Sequence, residues 1–200
     1  MRTLRPDLPP GWQAALAAET LASVDSKAAS AQWRTALAAA PDDPEVLSGY
    51  ANFLTDQGRE PADAEHLLRL ALRQKPAESA YAANLARLLL AEGRHPEGLE
   101  QLASALSVAM AEREPDTQVL AELMFYLLAH DRSRWSLALA TLKRLIRSGA
   151  RTPGWSFDPN LHRAQDEGHP ELALLRDLAK VLSHGANPAL LDSHVAWRAV

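Results

Sequence analysis

The sequence contains no cysteine, which excludes disulfides, iron–sulfur clusters, thiolate zinc sites and cysteine nucleophiles, and fits a cytoplasmic compartment. Aromatic residues make up only 6% of the chain. β-branched residues are scarce and no segment alternates apolar and polar residues at period two, so a sheet core is not expected. No apolar run approaches the roughly 18 residues of a membrane span, and the opening "MRTLRPDLPPGW" lacks the apolar stretch of a signal peptide. Charge of neither sign dominates. A formal net charge of -4 gives no general attraction to nucleic acid or to an anionic membrane surface and slightly favours a basic partner.

What is present is helical. Of the 200 residues, 47% are hydrophobic and 23% charged, the profile of a folded chain of one or two domains rather than a disordered one. Segments such as "WQAALAAETLA", "AEHLLRLALRQ", "YAANLARLLLAEG" and "LALATLKRLIRSG" place apolar residues three and four apart, the spacing that lines one face of a helix. The breaks carry helix-end chemistry. In "PDDPEVL" Asp43 can cap orphan amides with Pro44 at the first helical position, and Gly58, Gly93 and Gly149 each stand where a left-handed residue ends a helix. About eleven short helices are expected, and no strands.

These helices repeat. Ala29, Trp33, Ala36 and Pro41 are followed at a constant interval of 35 by Ala64, Leu68, Ala71 and Pro76. A third copy follows 34 residues later at Gly98, Leu102 and Ala105, where the helix continues past the position of the proline. A small residue lets two helices approach, a large one fills the contact, and proline ends the unit; a helix pair of this kind buries its apolar face only by stacking on its neighbours. The partner helices have their own pattern, Leu47, Tyr50, Ala51, Leu54, Gly58 and then Ala82, Leu85, Ala86, Leu89, Gly93.

On these residues the chain resembles the tetratricopeptide repeat (TPR) family, directly over about residues 10 to 112. The first unit, with Leu16 and Ala17, has Val24-Asp25 in place of the turn glycine, and a fourth pair at about 116–130 and 133–148 keeps only the helix-turn-helix form. The resemblance implies an all-α, right-handed TPR-like superhelix, with a repeat region over 1–150 and a C-terminal helical cap over 151–200. It also implies a concave face, lined by the first helix of each pair, that holds a peptide or protein segment. Carried over by position, the candidate binding residues are Glu45, Ser48, Asn52, Thr55 and Asp56 in one unit and Ala83, Asn84, Arg87 and Leu90 in the next. Asn52 and Asn84 suit hydrogen bonds to an extended backbone, since an amide both donates and accepts. The family's two-carboxylate clamp for chaperone tails needs lysine, arginine and asparagine where this sequence has Ala14, Ala18, Gly49 and Ala80, with only Asn84 fitting. A mixed or mildly basic segment is the better-matched ligand.

Catalytic patterns are missing: there is no HExxH, GxSxG, GxGxxG or GxxxxGK[ST]. No cofactor is expected and no enzyme activity. The residual case for metal rests on His162 and Asp166, four apart on one helix face, with His169, His184 and His194 nearby. A basic stretch, Arg132, Arg134, Lys143, Arg144, Arg147 and Arg151, reads as a solvated face meeting acidic Glu112, Glu114, Asp116 and Glu122. Trp33 stands in the repeat core, while Trp12, Trp155 and Trp197 are free to pack the ends or touch a partner.

The segment "RTPGWSFDPN" marks where the repeats stop. Pro153-Gly154 turns the chain, Asp158-Pro159 caps and starts a short helix ended by Gly168, Pro170 opens the next, and a last helix lies near "PALLDSHVAWRAV". An exposed Trp155 and Phe157 would make this loop a contact for a partner. Stretches similar to "SGARTPGW…GHP" follow TPR-like segments in bacterial proteins. The expected function is a non-catalytic scaffold or adaptor binding a protein or peptide, with no nucleic acid and no membrane. The alternatives are a dedicated secretion chaperone, a toxin-neutralising immunity-type protein, or a metal-dependent hydrolase using the C-terminal histidines.

Overall fold

The computed structural model describes residues 8–200. Among these residues there are only helices, turns and irregular segments. Eleven α-helices follow one another: α1 (Pro10–Leu21), α2 (Ser26–Ala39), α3 (Pro44–Asp56), α4 (Pro61–Gln74), α5 (Ser79–Ala91), α6 (His95–Ala111), α7 (Thr117–His130), α8 (Trp135–Arg147), α9 (Asp158–Asp166), α10 (Leu172–Ser183) and α11 (Val195–Arg198), with 3-10 turns at Arg132–Arg134 and Pro188–Ser193. The chain divides into two compact units, up to Ala77 and from Glu78 onward.

In the first unit α1 packs on α2 and α3 on α4, and α3 also touches α1 and α2. The capping chemistry is the one the sequence implies. The Asp43 carboxylate accepts from the amides of Glu45 and Val46, with Pro44 at the first position of α3. At the glycine-less turn, Asp25 caps α2 by accepting from Ala28. Trp33 is buried against Tyr50, their rings stacked with centroids 6.1 Å apart. The approach is close enough that a Cβ on Gly49 would lie 2.5 Å from the Trp33 ring. Ala29, Ala36, Ala64, Leu68 and Ala71 are all inaccessible, as repeat-core residues should be.

The second unit begins with the pair α5–α6, where Gly98 lets α6 approach until a Cβ there would meet Leu90 at 2.7 Å. α7 packs on α5, α6 and α8. The segment after α8 then returns: α9 lies on α5 and α7, and α10 on α9 and α7. Gly58, Gly93 and Gly149 have φ of 61°, 77° and 96°, the left-handed conformation that ends a helix without the Cβ penalty. Details at the C-terminal end depart from the sequence reading. Asp158 lies inside α9 with Phe157 at the N-cap, and the Ser156 hydroxyl accepts from the Asp158 amide. α10 starts at Leu172 rather than Pro170, and the expected last helix splits into the 3-10 turn at Pro188–Ser193 and the short α11.

The basic stretch is distributed rather than forming a face opposite acidic residues. Lys143 is buried, donating to the carbonyls of Trp197 and Val200 at 2.6 and 2.7 Å, with its ammonium 5.1 Å from the centre of the Trp197 ring. Arg134 pairs with Asp131, and Arg151 donates to the carbonyls at the end of α8. Glu122, expected to meet these bases, is buried within reach of the Arg87 charge instead.

Candidate functional site

α3 and α5 carry the expected binding residues and meet different fates. On α3, Glu45, Asn52 and Asp56 lie two turns and one turn apart, hence on one stripe. Glu45 and Asp56 are exposed and Asn52 is half-buried. Glu45 pairs with Lys75 at 3.3 Å across the unit. The Asn52 Oδ1 is sequestered without a donor among the described residues, a condition that costs a buried polar group about 1–3 kcal/mol. Ser48 is buried, as is Thr55, whose hydroxyl donates back to the Ala51 carbonyl at 2.9 Å.

On α5, every residue from Tyr81 to Leu90 is buried. Leu90, expected on the binding face, packs into the α5–α6 contact against Gly98 instead. Arg87 is 0% exposed, and the chain's own C-terminal segment lies over it. The Trp155 ring sits with its centre 4.6 Å from the Arg87 guanidinium carbon, and the Trp155 indole N–H donates to the Tyr126 hydroxyl at 2.9 Å. Phe157 stacks on Phe125, centroids 4.1 Å apart, and the edge of Tyr126. Asn160, fully buried at the start of α9, donates through Nδ2 to the Arg87 carbonyl at 3.3 Å. "RTPGWSFDPN" is therefore a packed lining of the α5–α7 face. With Phe157 buried and Trp155 bonded to Tyr126, it is not an exposed contact for a partner.

Burial sets the electrostatics here. It lowers the affinity of the Arg87 guanidinium for its proton, a tendency opposed by Tyr126, Glu122 and Asp158; an arginine nonetheless stays charged in a protein. It pushes the Glu122 carboxyl up to about 8, against the pull of Arg87, and pushes the Tyr126 hydroxyl up. A protonated Glu122, a cation under an indole face and a bonded phenol form a stable polar core.

Among the described residues, the histidines of the residual metal case form no cluster of three ligands, although His162 and His184 line one pocket. His162 and Asp166 are exposed. His169 uses Nε2 on the Leu128 carbonyl at 3.1 Å and accepts from the Glu171 amide at Nδ1. His194 is paired with Asp177 at 2.9 Å. A different set comes together instead, His95, His130 and Glu167. Sequence reasoning missed it because the three residues are 35 and 37 positions apart on α6, α7 and the end of α9, with no local spacing to signal them. The Arg87 cluster was missed for a related reason: Trp155, Tyr126 and Glu122 meet only through the return of a non-repeating segment.

No family model and no curated protein sequence matches the chain. Among solved structures, it is similar to a mutant of the O-GlcNAc transferase of Thermobaculum terrenum, with a TM-score of 0.53 and 22% identity over 67% of this chain. That match covers 26% of the transferase chain, so this chain spans about a quarter of that protein's length. At this identity the likeness is one of fold. Consecutive packed helix pairs, the 35-residue register and this neighbour together give the chain a TPR-like, all-helical repeat fold.

Proposed function

We propose that the chain is a non-catalytic binding scaffold that holds an extended, mildly basic protein or peptide segment on the α3 face, through Glu45, Asn52 and Asp56. Asn52 carries the reading. It is a half-buried amide whose acceptor has no donor among the described residues, flanked along one stripe by two carboxylates, and a ligand backbone N–H would satisfy it. On α5 the equivalent position, Arg87, is covered by the chain's own Trp155 and Asn160, and Asn84 is buried. No helix among the described residues is long and apolar enough to cross a membrane; a bacterial cytoplasmic location is part of the same reading.

The test is selection of displayed random peptides on the full chain, followed by titration of the selected peptides against a variant carrying Glu45→Ala, Asn52→Ala and Asp56→Ala. The expected result is enrichment of peptides with lysine or arginine, whose binding weakens roughly 10-fold or more in the variant while its circular-dichroism spectrum and Tm are kept. Selected peptides that bind the variant as well as the parent move the site off α3.

A further inference from the structure

The second unit carries a juxtaposition that the scaffold reading does not use. His95 opens α6, His130 closes α7 and Glu167 is the C-cap of α9. One ring nitrogen of each histidine and one carboxylate oxygen lie within 4.8 Å of one another. His95 Nε2 is 2.8 Å from Glu167 Oε1, and the two imidazole centroids are 5.4 Å apart.

The hydrogen bonds around His130 decide which atom is available. Asn160 donates through Nδ2 to the Arg87 carbonyl, which turns its Oδ1 toward His130. That oxygen only accepts, so His130 Nε2, 2.7 Å away, must carry the hydrogen. In the neutral ring Nδ1 is then a bare lone pair. It is buried and has no donor among the described residues. An imidazole whose one nitrogen is oriented by an amide oxygen while the other is left bare has the arrangement of a metal-ligating histidine with its outer support. Two of the three helix ends favour a cation: α7 and α9 present their carbonyl termini to the site, against the amide end of α6 at His95. Arg163, whose Nε is 3.9 Å from Glu167 Oε1, is drawn off toward the Ala91 carbonyl, to which that Nε donates at 3.0 Å.

We propose that His95, His130 through Nδ1, and Glu167 bind a single divalent cation of the zinc class and thereby fasten α9 to the ends of α6 and α7. Two imidazoles and one carboxylate without a thiolate suit zinc and its neighbours among the late first-row metals rather than magnesium or calcium. Tetrahedral zinc with ligands at about 2.0–2.1 Å holds its donor atoms about 3.3–3.4 Å apart, so the cation replaces the direct His95–Glu167 contact with a small outward shift of both side chains. Asn160 positions His130 and touches no metal.

The experiment is calorimetric titration of the metal-stripped full chain with zinc chloride, with cobalt(II) as a spectroscopic replacement and chelator competition to set the affinity. The expected result is one site per chain, a visible tetrahedral cobalt spectrum, and a higher Tm with zinc than with chelator. His130→Ala and Glu167→Gln each weaken binding roughly 100-fold or more, and Asn160→Ala weakens it roughly 10- to 100-fold. Wild-type chain needs no substitution for the Tm comparison, so a variant that unfolds leaves the test intact. Failure of zinc to saturate by roughly 0.1 mM, or equal binding by His130→Ala and Glu167→Gln with an intact circular-dichroism spectrum, overturns the proposal.

Discussion

α3 and α5 occupy the same place in successive repeats, with Asn52 and Arg87 at equivalent positions 35 residues apart, yet one presents a polar stripe and the other is buried along its length. The repeat frame fixes what each helix does for its partner helix: Tyr50 and Leu85 fill contacts, Ala51 and Ala86 permit approach, Gly58 and Gly93 turn the chain. It does not fix what covers the remaining face. On α5 that is decided by residues 155–163, which have no counterpart in the repeat and bring an indole and an amide to Arg87. A repeat position is thus a statement about geometry, and its exposure depends on the rest of the chain.

The comparison breaks most severely at Arg87. Arg87→Ala removes the cation from a buried cluster containing Trp155, Tyr126 and Glu122 and opens a large void; the expected cost is roughly 3–5 kcal/mol, read by chemical denaturation. A loss under about 1 kcal/mol would mean that the lining does not depend on the arginine. Glu122 sharpens the same side through pH. Its carboxyl keeps a proton in the folded chain up to about pH 8 but ionises near 4.5 when unfolded. The folded state therefore binds more protons across that window, and stability, full below about pH 4.5, falls as pH rises toward 8. Glu122→Gln removes this slope, so the variant gains roughly 1–3 kcal/mol on the wild type between about pH 5 and pH 8; parallel pH profiles from urea titrations would refute the assignment. The smallest loss belongs to α3. Asn52→Ala costs no stability and can raise it by up to about 1–3 kcal/mol, since it removes a buried acceptor without a donor among the described residues, and a loss in thermal melts would show Asn52 to be structural.

The helices were legible because period and punctuation agree. Asp43-Pro44 and the left-handed glycines each solve a helix-end problem within a few residues, and the Trp33 and Leu68 register survives intact in the packing. Exposure at the candidate positions was legible only on α3, where that of Glu45 and Asp56 follows from the helix face alone. Leu90 failed because its helix position serves the contact with Gly98. The residual metal case on His162 and Asp166 gains no third ligand from their shared helix face. His95, His130 and Glu167 were invisible because nothing along the chain ties them together before α9 folds back.

That return has a consequence for truncation. The last carbonyls of a helix have no partner within it, and two of them in the second unit are met from far downstream: the Ala91 carbonyl by the Arg163 side chain and the Leu128 carbonyl by His169. A chain truncated before α9 leaves these two carbonyls without their side-chain partners and the Arg87 face without its lining, so the packing of the second unit is complete only when residues 155–169 are present.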